Sequence, residues 1–223
     1  NLRILDNLSV GRSEDIENKL KINITASEKA IWDENIQLIV GDITDFETVN
    51  MCARGADVII HLAANTGVQP SISDPIMDFN VNVCGTLNTL EAARKNKCKK
   101  YIFASSGAPL GDQCPPLHEE LVPKPVSPYG ASKLSGEAYC RAYNKSFGLN
   151  TSMLRFSNVY GPGSKHKASV VSKFIQNILS QDGIEINGDG TQTRDFIYVD
   201  DLVKAINLAM LNSHSGIFQI ATG

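Results

Sequence analysis

The sequence pairs none of its cysteines. Cys52, Cys84, Cys98, Cys114 and Cys140 are scattered, odd in number and never in a C-x-x-C spacing. That argues against a disulfide framework or a zinc site and for a reducing compartment. The four histidines lie far apart with no H-E-x-x-H spacing, so no metal site can be read. No apolar run approaches the length needed to span a bilayer, and no signal peptide opens the chain. Charge of one sign is not in excess either: a formal net charge of -3 gives no reason to expect nucleic acid or an anionic membrane as partner. There is no internal repeat and no low-complexity tract. These absences leave a cytoplasmic protein as the expectation, with no nucleic-acid, membrane or metal partner.

What is present is an alternation. Short apolar runs at Leu2–Leu5, Ile36–Val40, Asp57–Leu62, Lys100–Ser105 and Thr151–Phe156 are nearly continuous in apolar character, as expected for parallel strands covered on both faces. Helical patterns fall at Phe46–Ala53, Asp78–Asn96, Pro128–Phe147, Ser169–Ser180 and Val199–Leu211. Strand–helix alternation of this kind predicts an α/β protein built on a doubly wound parallel sheet. One long connection, residues 111–128, holds most of the prolines; a loop this long in a compact domain is usually functional or mobile.

In such sheets ligands sit at the carboxyl ends of the strands. The first strand candidate ends in Asp6 and Asn7. A carboxylate there can accept both ribose hydroxyls of a dinucleotide and repel a 2′-phosphate, favouring NAD over NADP, although Arg12 nearby pulls the other way and Asp6 could simply start a turn. The next ends in Asp42 and Ile43, suited to an adenine amino group and ring face, or else to a helix N-cap. After "VIIH" come Ala63 and Ala64, small enough for a ligand to approach the backbone, while His61 reads as a structural histidine. Asn82 is an unexpected polar residue in a buried helix. Lys95, Lys97, Lys99 and Lys100 lie where that helix ends and complement its dipole. Ser105 and Ser106 reach the sheet edge, in a sequence that could also be a plain turn.

In "SPYGASK" Ser127 is a good N-cap and Pro128 a good first helical residue. Tyr129 and Lys133 are then i and i+4 on one face. A neighbouring ammonium, with the positive charge of an oxidised nicotinamide, would lower the tyrosine from its usual ~10 and make it a general base. Taken alone, the spacing equally describes a surface tyrosine packed on a lysine stem.

The series "LDNLS", "GDITD", "HLAA", "NVNVCGT", "ASSGA", "SPYGASK", "RFSNVYGPG" and "GDGTQTRDFIYVDD" closely resembles the extended short-chain dehydrogenase/reductase superfamily, in its NAD-dependent epimerase/dehydratase branch, nearest the UDP-glucose 4-epimerase-like group. The resemblance implies an NAD-binding Rossmann domain over residues 1–158 and part of a nucleotide-sugar-binding region over 159–223. It implies Tyr129 as acid/base, Lys133 as the residue holding the nicotinamide ribose, and Ser106 as the partner of the reacting sugar hydroxyl. Asp6, Asn7, Asp42, Ile43, Ala63, Ala64 and Asn82 match cofactor-contacting positions. Asn158 matches a residue contacting the nucleotide sugar, and Arg194 one pairing with its diphosphate, for which a guanidinium is well suited.

Three departures qualify the resemblance. The family's G-x-x-G-x-x-G loop precedes the ribose carboxylate by roughly 20 residues, whereas only five residues precede Asp6. The chain starts at Asn1 and stops at "FQIATG", so the expectation is a fragment lacking the first strand, the Gly-rich loop and the C-terminal part, and itself inactive. Pro109 and Leu110 stand where relatives usually carry an apolar residue and tyrosine. For the parent protein the resemblance implies C4 epimerisation of a nucleotide sugar through a 4-keto intermediate, in a homodimer formed by the helices bearing "NVNVCGT" and "YGASK". Related dehydratases carry an acidic pair where Gly107 and Ala108 stand. A dehydratase, a decarboxylase and a non-catalytic nucleotide-binding relative remain the alternatives.

Overall fold

A computed structural model describes residues 1–14, 23–26, 36–164, 169–186 and 188–223. Every strand pairing in it is parallel. Strands β1 (Leu2–Asp6), β2 (Asn23–Ala26) and β3 (Ile36–Val40) form one sheet in the order β1-β3-β2. A second sheet runs β4 (Val58–His61), β5 (Lys100–Ser106), β6 (Asn150–Phe156) and β9 (Gly216–Ile220), and β7 (Asn158–Tyr160) pairs with β8 (Phe196–Tyr198). The register sets Asp6 beside Val40, His61 beside Phe103, and Ser106, Phe156 and Ile220 in one row. The carboxyl ends of the strands within each sheet therefore share an edge, where a doubly wound architecture places its ligands.

Between the strands lie α1 (Phe46–Ala53), α2 (Val68–Ser73), α3 (Pro75–Phe79), a π-helical turn at Asn80–Cys84 leading into α4 (Gly85–Lys95), α5 (Pro128–Phe147), α6 (Val170–Leu179) and α7 (Val199–Leu211). The helix expected from Asp78 starts earlier because Asp74 caps it, accepting from Met77 N–H, with Pro75 at the first position. Helix α2 and strands β2, β7, β8 and β9 were not expected; each has six residues or fewer. β9 has a consequence for the domain boundary expected at 158/159. It lies within the stretch assigned to sugar binding, yet it pairs with β6 in the main sheet.

Two apolar clusters hold the layers. One packs Leu90 of α4 and Cys140 and Tyr143 of α5 on Tyr101, Phe103 and Met153 of the sheet. The other joins Val49 and Ala53 of α1 to Ala92 of α4, with Leu5 of β1 and Ile59 of β4 against it. β1 and β4 thus share a core, although among the described residues each is paired with a strand along one edge only.

Helix α5 shows how local sequence sets up the site. Ser127 caps it, its hydroxyl accepting from Gly130 N–H at 3.1 Å, and the Tyr129 N–H donates to Ser71 Oγ of α2 at 3.1 Å. Two otherwise orphaned donors of the first turn are satisfied in this way. The helix ends at Gly148, whose φ of 72° is left-handed. Its buried side runs through Gly130, Lys133, Gly136, Glu137, Cys140 and Tyr143, a stripe that recurs once per helical turn. At Gly136 a Cβ would intrude on the Phe103 ring, so glycine lets helix and strand approach closely.

Candidate active site

Three consecutive residues of β5 are tied to three successive turns of α5. Ser106 stands beside the Tyr129 phenol and acts to lower it. Lys133 Nζ donates to the Ala104 carbonyl at 2.9 Å, and Ser105 Oγ donates to Glu137 Oε1 at 2.6 Å. Ser106 Oγ also accepts from Ala108 N–H at 3.2 Å, in the short 3₁₀ turn Ala108–Leu110 that buries Pro109 and Leu110. The expected Ser106, Tyr129 and Lys133 are thus brought together at the carboxyl edge of the sheet.

Their electrostatics differ from the sequence expectation in one respect. Tyr129 lies above its ordinary value, because burial outweighs the lowering by Ser106, and the Asp78 carboxylate adds to the rise. The Lys133 ammonium is turned to the Ala104 carbonyl and stands 5.9 Å from the tyrosine ring centroid. Burial brings Lys133 itself down to about 8, with Asp78 opposing. His61 is structural, as expected: its Nε2 is 3.0 Å from Thr86 Oγ1, and burial with the Lys133 charge takes it down to about 3. It is neutral at physiological pH.

Asp6 and Asn7 are exposed at the end of β1, with Asp6 Oδ1 accepting from Leu8 N–H at 2.7 Å. Asn7 Nδ2 donates to Asp42 Oδ2 at 2.8 Å, while Asp42 Oδ1 accepts from the N–H and hydroxyl of Thr44. These bonds hold the Asp42 carboxyl below its usual range. Ala63 and Ala64 are half-buried at the end of β4. An exposed ribose-type carboxylate, a bonded second carboxylate and two small side chains at the strand ends fit the adenosine half of a dinucleotide. Ile43 is part of the core, under Gly85, where a Cβ would come within 2.5 Å of its Cδ1. Asn82 is buried and spends its amide inside the chain. It accepts from Asn65 N–H at 2.8 Å and donates to Asn65 O, Asp78 Oδ1 and Ser132 Oγ. It braces the chain after β4 against α3 and α5.

Asn158 and Arg194 both lie at the β7–β8 pair. Asn158 Nδ2 donates to the Asp195 carbonyl at 3.0 Å, and the exposed Arg194 donates to Thr193 O at 2.7 Å. The lysine cluster disperses into local roles: Lys95 stands 4.5 Å from the Phe46 ring centroid, Lys99 pairs with Asp57, and buried Lys100 donates to Asn150, Asn212 and His214. Sequence reasoning missed Asp78, Ser71, Glu137 and Arg155. Of these only Glu137 carried a signal, since it continues the 129, 133 spacing by four residues.

The profile of the NAD dependent epimerase/dehydratase family matches residues 3–221. A putative UDP-glucose 4-epimerase of Methanocaldococcus jannaschii is 39% identical over 99% of this chain and 68% of its own length. The chain spans 54% and 62% of two further curated relatives. Among solved structures, a UDP-N-acetylglucosamine 4-epimerase from Methanobrevibacter ruminantium, in complex with UDP-N-acetylmuramic acid, is 34% identical with a TM-score of 0.86. The match covers 98% of this chain and 68% of that one. A dTDP-glucose 4,6-dehydratase from Streptomyces venezuelae with NAD bound has the same TM-score of 0.86 at 26% identity, over 98% of this chain and 65% of the other.

Proposed function

Because the chain belongs to the NAD-dependent epimerase/dehydratase family, we propose that its protein epimerises a nucleotide sugar at C4, with UDP-glucose/UDP-galactose as the type of substrate. The observation that carries this reading is Tyr129 placed beside Ser106 at the sheet's carboxyl edge, with Lys133 buried one helical turn away and bonded to the Ala104 carbonyl at 2.9 Å. Tyr129 takes the proton of the sugar 4-hydroxyl as C4 is oxidised, and returns it when the 4-keto sugar is reduced on its other face. Ser106 holds the same oxygen and supplies a hydrogen bond where charge develops. NAD, when bound, supplies the hydride acceptor and donor and a positive charge that favours the phenolate. Lys133 and Asp6 would hold its two riboses, with Asn7, Asp42, Ala63 and Ala64 about its adenosine half. Arg194 would take the sugar's diphosphate and Asn158 a further contact to it.

Gly107 and Ala108, which follow Ser106, offer no carboxylic acid for elimination, and this favours epimerisation over 4,6-dehydration. Ile76, Met77 and Phe79 of α3 and Tyr139 and Phe147 of α5 are exposed apolar side chains; they support a homodimer through these helices. The test is proton NMR of product mixtures after incubating the protein, expressed from its complete gene with NAD, with UDP-glucose and separately with UDP-N-acetylglucosamine. A C4 epimer that is lost in Tyr129→Phe supports the proposal. A 4-keto-6-deoxy product, or a C4 epimer that persists in the variant, refutes it.

A further inference from the structure

Glu137 and Arg155 form a buried ion pair that the proposed chemistry does not use. Arg155 Nε donates to Glu137 Oε1 at 2.8 Å and Nη2 to Oε2 at 2.7 Å, with both side chains 2% exposed or less. Such a pair is a poor way to gain stability, since apolar residues of similar volume often serve as well or better. Arg155 Nη1 is moreover buried without a hydrogen-bond partner among the described residues. What the pair provides is geometry. Arg155 lies opposite Ser105 in the β5–β6 register and opposite Gln219 in β6–β9. Glu119 of the long connection accepts from Gln219 N–H at 2.6 Å and feels the Arg155 charge. Glu137 itself takes the Ser105 hydroxyl, one residue before Ser106.

We propose that Glu137 and Arg155 are positioning residues: the pair fixes the height and rotation of α5 on β5 and β6, so that Tyr129 meets Ser106 and Lys133 meets the Ala104 carbonyl. This rests on the functional reading above for its catalytic consequence, but its geometric content does not. A strut of helix spacing (129, 133, 137) against strand spacing (106, 104, 105) defines one position of helix on strand. An apolar pair in its place would pack without specifying that position to within the fraction of an ångström that catalysis requires.

The test is the double variant Glu137→Met/Arg155→Met of the complete protein, which removes no net charge. The first readout is the titration of Lys133 by ¹³Cε NMR, assigned with Lys133→Arg. Lys133 is faced by Asp78 of α3, His61 of β4 and Tyr129 of its own helix, none of which is altered; the variant removes Glu137, one turn along, together with the opposite charge of Arg155. In the unmodified protein its midpoint lies near 8; in the double variant it shifts by about one pH unit or more as Nζ leaves its seat on Ala104, downward if it stays buried without the carbonyl and upward if it reaches water. An unchanged midpoint overturns the proposal, whether or not the protein turns over any sugar. Where UDP-glucose is turned over, kcat falls at least about tenfold with KM within about threefold and bound NAD retained; wild-type kcat overturns it. Absence of turnover in the unmodified protein counts against the functional reading alone. If the double variant does not fold, Arg155→Lys decides, keeping the charge and losing the two-point contact with Glu137. A Lys133 midpoint shifted with the melting temperature kept supports positioning, and an unchanged midpoint overturns it.

Discussion

Replacing Lys133 by methionine is expected to stabilise the fold while abolishing activity. The residue is 4% exposed, and burial brings its ammonium from 10.5 to about 8. Keeping it charged at neutral pH therefore costs the folded state about 3 kcal/mol. Against this, methionine forfeits the charged hydrogen bond to the Ala104 carbonyl, about 1.5 kcal/mol. The net gain is about 1.5 kcal/mol, or roughly 3–6 °C in melting temperature for a chain of this size. The sign with pH follows from the depressed folded-state value. Below about 8 both folded and unfolded lysine carry the proton and the full penalty applies. Between about 8 and 10.5 the folded state releases its proton first, and stability rises with pH; above 10.5 the penalty is gone. Urea denaturation of the nucleotide-free proteins at pH 7 and again near pH 10 measures this. The variant's advantage is expected at pH 7 and to shrink at the higher pH. A variant less stable than the parent at pH 7, or an advantage that grows with pH, would refute the reasoning.

Tyr129→Phe removes only the phenolic oxygen, and turnover measured by NMR is expected to fall at least about 10²-fold with an unchanged melting curve. Gly136→Ala places a methyl group against the Phe103 ring; a loss of about 1–3 kcal/mol is expected in urea denaturation, and no loss would mean that helix and strand are not in close contact. His61 is down to about 3 in the folded protein against 6.5 unfolded, so it contributes stability that is present above pH 6.5 and lost as pH falls, by about 1.4 kcal/mol per pH unit. Urea midpoints between pH 6.5 and 4.5 are expected to fall less steeply in His61→Phe than in the parent, and equal slopes would show that His61 is protonated in the fold.

Helix α5 was legible to the residue, because Ser127, Pro128 and Gly148 are signals that act within one turn of themselves. The strands β1, β3, β4, β5 and β6 were legible from their apolar runs, and with them the residues at their carboxyl ends. β7 and β8 were not, since three residues carry no period. β9 was not, since its pairing with β6 joins residues more than 60 positions apart. Asn82 stood out as a polar residue in an apolar helix, but its role did not. Whether a buried amide faces a ligand or is consumed by Asn65, Asp78 and Ser132 depends on which segments pack over it.

By itself the sequence determined the class of fold, because local periodicity, caps and strand-end residues are properties of neighbours in the chain; the family, and with it the expectation of Tyr129, Lys133 and Ser106 as one group, came from the resemblance of the ordered motifs. Only the tertiary structure decided what those groups experience. Tyr129 is raised and Lys133 lowered by burial, and burial is a property of the whole packed layer. Ser105 and Arg155 reach Glu137 from 32 and 18 residues away. Such contacts have no spacing rule to betray them, because folding, and not the order of residues, sets the distance between their atoms.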